Sequence, residues 1–414
     1  MTIRSRYILL RIVFLLFSFT LGCGRYDTDN AAEQHTTLLV ETLKDQPLAA
    51  YQRELLVLAF ETASAIPVKP HIKDRSRMQE KAAAACLELN QPFLAIGFIE
   101  HIDNWRRGSG YGDVAFYCAK NGYTDEAMQY IDLADQVSSS AEEWRKVHIK
   151  VKIANAYLLL GETEKSAQYA SGVENAASGK VAGVRAMIAS EDHFEKQMDA
   201  LDAWIESGNY DAIVNALEAC AKLFNRFYEN KGWRMLAEEK LKASWEVLPV
   251  FKRIDLLMGL AGFALDHADQ PKTLELVNET QSIIDSAQWR PEHYVSLMSR
   301  VSRLRYLAGD RQKAMADAGD ILNFYNLQKE KIITIYRAEA LLPLAEAYQA
   351  MGNTEEALQI YAMAIQEGVE NPNSRPRAED LSAACLSMAL HGVEPDVELW
   401  GRIRGIKEGL GDPW

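Results

Sequence analysis

Apolar residues recur at three- and four-residue spacing from about residue 50 to the C-terminus, the period of a helix with one buried face. No stretch alternates in the way a half-buried strand does. The pattern predicts eighteen helices between residues 50 and 409. Three phrases punctuate it: Gly122-Tyr-Thr124-Asp125-Glu126-Ala127, Gly161-Glu-Thr163-Glu164-Lys165-Ser166 and Gly352-Asn-Thr354-Glu355-Glu356-Ala357. Each lies between two helix-period segments. The glycine is expected to take the left-handed conformation that ends one helix, and the threonine to cap the next. The unit is therefore a helical hairpin, and hairpins that cannot bury an apolar face alone must stack.

The breaks between segments carry proline or glycine: Pro67 and Pro70, Pro92, Pro271, Pro291, and Pro372 with Pro376. The run Gly108-Ser-Gly110-Tyr-Gly112 reads as a loop between helices at 92–104 and 112–121. A helix is expected at 164–177 and the next at 191–207. No low-complexity linker divides the chain, so residues 40–414 read as one helical-repeat domain, with a C-terminal helix and tail covering the last apolar face.

Aligning on the glycines extends the pattern. The clearest copy places Ala345, Tyr348, Gly352, Ala357, Tyr361 and Ala364 at the spacings that let two helix backbones approach and fill the space between hairpins with aromatic rings. Weaker copies carry Ala154, Tyr157, Gly161 and Ser166; Ala115, Gly122, Ala127 and Ala134; and Gly309, Ala314 and Ala318, with a further one at Trp204, Gly208 and Ile213. This resembles the tetratricopeptide repeat. The resemblance implies an all-α fold, a right-handed α-solenoid of stacked hairpins. Glycine spacings of 39, 47, 101 and 43 residues exceed the family's usual ~34, so longer helices are expected, with an irregular helical insert near 224–251 inside the widest gap. Projected onto this chain, the family's peptide-binding groove nominates His148, Asn155 and Leu158, then Arg303 and Tyr306, then Glu339, Glu346 and Gln349.

The chain begins with basic residues Arg4, Arg6 and Arg11 followed by an apolar run from Ile12 to Gly22, the plan of an export signal. Its end, Gly22-Cys23, resembles the lipobox of bacterial lipoproteins. That resemblance implies a signal over residues 1–22, diacylation of Cys23, and a tether at 23–39 holding the domain to the membrane through its lipid. Gly24 after the cysteine implies the outer membrane, at its periplasmic face.

Charge narrows the partners. With 58 acidic against 45 basic residues the formal charge is −13, which argues against a phosphate-binding surface and so against nucleic acid. Beyond Cys23, the cysteines at 86, 118, 220 and 385 are widely spaced, without a C-x-x-C pair, and read as buried thiols. Cys86 and Cys118 stand on neighbouring hairpins and are the one pair an oxidising compartment would bridge. The eight histidines never fall three or four apart, and neither a P-loop nor a G-x-S-x-G elbow is present. No metal, cofactor or catalytic residue is nominated. Phe224, Phe227, Tyr228, Trp233 and Trp245 form an aromatic stretch expected to pack the insert, or, if exposed, to mark an interface. The expectation is a non-enzymatic scaffold or adaptor lipoprotein that binds a protein or peptide in the bacterial envelope. The alternative is a receptor-like module for a glycan or small ligand.

Overall fold

The computed structural model describes residues 43–171 and 175–414, with side chains from 181 onward in the second stretch. The export signal, Cys23 and the tether lie outside the described residues. Among the described residues there are nineteen α-helices and no strand. In chain order they are α1 (Ala50–Ala65), α2 (Val68–Glu88), α3 (Pro92–Glu100), α4 (Arg106–Lys120), α5 (Thr124–Ser139), α6 (Glu143–Leu159) and α7 (Thr163–Ala170). They continue as α8 (Asn175–Ile188), α9 (Phe194–Glu206), α10 (Tyr210–Arg226), α11 (Lys231–Ser244), α12 (Val250–Asp266) and α13 (Gln270–Asp285). The last are α14 (Pro291–Leu307), α15 (Arg311–Gln328), α16 (Thr334–Ala350), α17 (Thr354–Val369), α18 (Ser374–His391) and α19 (Val397–Glu408).

The turn glycines adopt the conformation their position requires. Gly122, Gly161, Gly208, Gly309 and Gly352 have φ of +81°, +79°, +70°, +99° and +79°. Two further hairpin turns use other residues: Asn90 between α2 and α3, and Ala268 between α12 and α13, with φ of +55° and +56°. Ala268 accounts for the 101-residue gap between glycines, which contains a hairpin turn that carries no glycine. The threonines do not cap. Thr124, Thr163 and Thr354 are the first residues of their helices, and Tyr123, Glu162 and Asn353 before them make no side-chain cap bond.

The even-numbered helices touch one another in unbroken order from α2 to α18, and α18 touches α2. The odd-numbered helices meet their even partners far more than each other, which places the even layer on the shorter, inner circumference. An open superhelix would keep α1 and α18 at opposite ends. Here α1 packs more extensively on α18 than on α2, so the two ends complete one helix pair together. Gln52 donates to the Ala389 carbonyl at 2.8 Å, Ser382 to the Ala59 carbonyl at 3.1 Å, and Arg375 pairs with Asp74 at 3.5 Å. Helix α19 packs on α18 and α17 and reaches α1 through Arg404 to Glu54 at 2.5 Å and Lys407 to Glu61.

Tertiary packing overrides local propensity in α4. Gly108, Gly110 and Gly112 lie inside this helix, not in a loop. A Cβ at Gly108 would stand 2.9 Å from Ile149 and Val137, one at Gly110 2.8 Å from Ile99, and one at Gly112 2.7 Å from the Lys152 Cβ. Each glycine costs roughly 1 kcal/mol of helix propensity. The close approach of α3, α5 and α6 that they permit offsets this. Two helices replace the single one expected over 164–177: α7 stops at Ala170 and α8 starts at Asn175. Residues 224–251 run from the end of α10 through α11 into α12, and α11 packs on α10. Phe224, Phe227, Tyr228 and Trp245 are buried there, and Trp233 stacks on Phe194 at 4.9 Å.

Candidate functional site

Three successive even helices, α2, α4 and α6, open into a cavity of about 780 Å³, within the size range of small-ligand sites. Helix α2 contributes Ile72, Lys73 and Glu80; the start of α4 contributes Asn104, Trp105, Arg106 and Ser109; α6 contributes Trp144, Arg145, His148 and Lys152. Their arrangement follows from one carboxylate. Glu80 accepts from Ser109 at 2.7 Å, is bridged by Arg106, and lies 3.8 Å from the Lys152 ammonium, so charges from three helices converge on it. Lys152 also meets Asp113 at 2.6 Å. Asn104 fixes the entry to α4 by donating to Ser76 of α2 at 2.8 Å and accepting from the Arg106 backbone at 2.9 Å.

Aromatic rings form the rest of the wall. Trp105 and Trp144 meet edge to face at 5.8 Å and 68°, and His148 stacks on Trp105 at 5.6 Å. The Arg106 and Arg145 guanidiniums each lie 4.9 Å from an indole centre. The Trp144 side chain is 56% exposed although it neighbours a packed cluster, which leaves indole surface open to a ligand. Its Nε1 donates to Glu142 at 3.0 Å, fixing the ring's orientation.

The nominated groove residues fall into two separate groups. His148 lines the cavity, and farther along α6 the Asn155 Oδ1 is buried with no hydrogen-bond partner. Leu158 is buried in a small core with Val151, Ala154, Val181 and Val184. The second group lies on α14 and α16, helices with no extensive contact to α6. Tyr306 donates to the Met351 carbonyl at 3.0 Å, Glu339 is exposed, and the Arg303 Nε and Gln349 Oε1 are buried without hydrogen-bond partners. Glu346 accepts from Ser387 at 2.7 Å and meets His391 at 3.5 Å. Burial pushes the Glu346 carboxyl up, but His391, Ser387 and Arg303 outweigh it and hold the group below its ordinary range.

Trp105, Trp144, Arg145, Lys152 and Glu80 escaped the sequence reading. They share no motif, and only the packing of three hairpins brings them together. Composition did not single them out either: a tryptophan stands before an arginine at 105–106 and 144–145, but also at 233–234 and 289–290.

Cys86, Cys118, Cys220 and Cys385 are free and buried, so the considered Cys86–Cys118 bridge is absent. Burial pushes the thiols of Cys118, Cys220 and Cys385 to about 12, which leaves them unreactive at neutral pH. Among the described residues no group of histidine, cysteine and carboxylate side chains has metal-site geometry, and no helix is long and apolar enough to cross a membrane. No protein-family model matches the chain, and no curated protein shows significant similarity to it.

Proposed function

We propose that this chain is a non-catalytic binding module built from tetratricopeptide-like hairpins in a right-handed stack, held at the bacterial envelope by a lipid on Cys23. In this reading it faces the periplasm from the outer membrane and captures a small ligand or glycan in the α2/α4/α6 cavity. The observation that carries it is the exposed Trp144 indole set against Trp105 and His148 in a cavity of ligand size. Large exposed apolar side chains beside converging polar groups are the usual constitution of a small-molecule site. The test is capture of material from native envelopes by the wild-type chain and by a Trp105→Ala/Trp144→Ala variant. Selective retention lost in the variant supports the module; equal retention by both chains sinks it.

A second reading is an adaptor for a protein or peptide partner. Its support is the exposed apolar group around the turn from α15 to α16: Leu327, Ile333, Ile335 and Tyr336 are 79%, 58%, 45% and 39% exposed. Under that reading, Leu327→Asp with Ile333→Asp abolishes co-purification of one protein partner while ligand capture persists.

A further inference from the structure

The charge balance of the cavity says what it takes. It presents Lys73, Arg106, Arg145 and Lys152, although the chain as a whole is strongly acidic. Arg106 and Lys152 are engaged by Glu80 and Asp113. Arg145 lies 3.4 Å from Glu142 through its Nε and offers its two terminal nitrogens, and Lys73 has no ion-pair partner among the described residues. Setting Glu80, Asp113 and Glu142 against the four cations leaves one positive charge in excess. One excess charge matches a single carboxylate; a polyphosphate, carrying two or more negative charges, would remain undercompensated in a negatively charged protein.

The aromatic geometry selects the body of that ligand. Two indoles at 68° make a corner, not a parallel slot. A nucleobase gains most between parallel rings, whereas a pyranose needs one flat indole for its apolar C–H face and an edge beside it for its hydroxyls. Arg145 lies over the Trp144 ring at 4.9 Å, and the indole surface that stays exposed supplies the first. Charged groups for the hydroxyls and carboxylate stand next to it, with Arg145 adjoining Trp144 in sequence and Lys73 lining the same cavity from α2. From these observations, and resting on the reading of the cavity as a binding site, we infer that the site binds a saccharide bearing a carboxylate, of the uronic acid type. Trp144 stacks on the sugar ring, and Lys73 and Arg145 hold the carboxylate. The engaged pair Arg106–Glu80 orients the wall and does not bind charge.

Isothermal titration of the full-length protein in detergent tests this with four probes: glucuronosyl-(1→4)-glucose, cellobiose, inorganic pyrophosphate and acetyl-Ala-Ala with a free carboxylate. The acidic disaccharide is expected to bind at least about tenfold more tightly than cellobiose. Lys73→Gln with Arg145→Gln closes that gap, Trp144→Ala removes binding of both sugars, and the helical circular dichroism of all variants stays intact. Equal affinity for the two disaccharides, or tighter binding of pyrophosphate or of the peptide, overturns the inference. If no probe binds but Trp105→Ala/Trp144→Ala still abolishes capture from envelopes, this inference fails and the binding-module reading stands. Absence of binding together with unchanged capture removes both.

Discussion

Two stretches of the even-helix layer are built from similar side chains and treat them differently. On α14, α16 and α18, arginine, glutamate, histidine and serine are turned on one another. Arg305 has no exposed side-chain surface and donates to Asp317 at 2.5 Å, Gln281 at 2.6 Å and Asn278 at 3.1 Å; Ser387 joins Glu346 to the buried Tyr361 at 2.8 Å. On α2, α4 and α6 an equally connected core, centred on Glu80, leaves Lys73, the outer edge of Arg145 and most of Trp144 facing open space. Buried charge turned mainly on protein partners holds helices in register, although the Nε atoms of Arg303 and Arg305 and the Gln349 Oε1 make no hydrogen bond there. Charge and aromatic surface left partly unpartnered at a cavity are available to a ligand. The contrast teaches that residue type does not mark a site in such a fold; residual exposure after packing does.

The sharpest break of that comparison is Arg305→Ala. Removing this buried cation leaves the half-buried Asp317, with Gln281 and Asn278, without its partner, and we expect a loss of about 3 kcal/mol, read as a lowered urea midpoint. A loss below about 1 kcal/mol would show that the α14 network is dispensable.

Next comes Asp380. Burial, then Glu379 and Glu339, raise its carboxyl to about 8. The folded chain therefore keeps a proton that the unfolded chain releases above its ordinary pKa near 4, so this group costs stability progressively as pH rises from about 4 to about 8. Asp380→Asn keeps an acceptor for Asn371, which donates to it at 3.1 Å. The variant should match wild type near pH 4 and exceed it by on the order of 2 kcal/mol at pH 8, a figure set below the full shift because the residue is partly exposed. Thermal melts across that range showing parallel curves would contradict the assignment.

A smaller effect tests the cavity's frame. Gly112→Ala forces its Cβ against Lys152, and we expect a net loss of about 1 kcal/mol after the gain in helix propensity, together with weaker ligand binding as α6 moves. Gly259→Ala, on α12 with nothing within 4 Å of its Cβ, should instead stabilise by about 0.5–1 kcal/mol. The smallest change in stability, under about 0.5 kcal/mol, belongs to Trp144→Ala, which should nonetheless abolish capture. A large destabilisation by Trp144→Ala would recast that ring as a packing residue and dissolve the contrast between the two regions.

Helical periodicity and the turn glycines by themselves determined much about this protein. An all-helical chain, hairpins turning at Gly122, Gly161, Gly208, Gly309 and Gly352, and small residues such as Ala345 and Ala357 buried between helices all follow from local rules, because a left-handed turn or a close helix approach restricts residue type at a single position. Tertiary structure alone decided the rest. The turn at Ala268 carries no glycine, so its left-handed residue is invisible in the sequence, and the glycines of α4 look like a loop until Ile99, Val137 and Lys152 are seen packed against them. Closure of the circuit depends on α1 meeting α18, a contact between residues more than 300 positions apart such as Gln52 and Ala389. The cavity likewise joins Lys73, Trp105 and Trp144 from three hairpins. Neither leaves a local trace, because non-local contacts constrain shape and charge jointly across distant segments and prescribe no residue at any one of them.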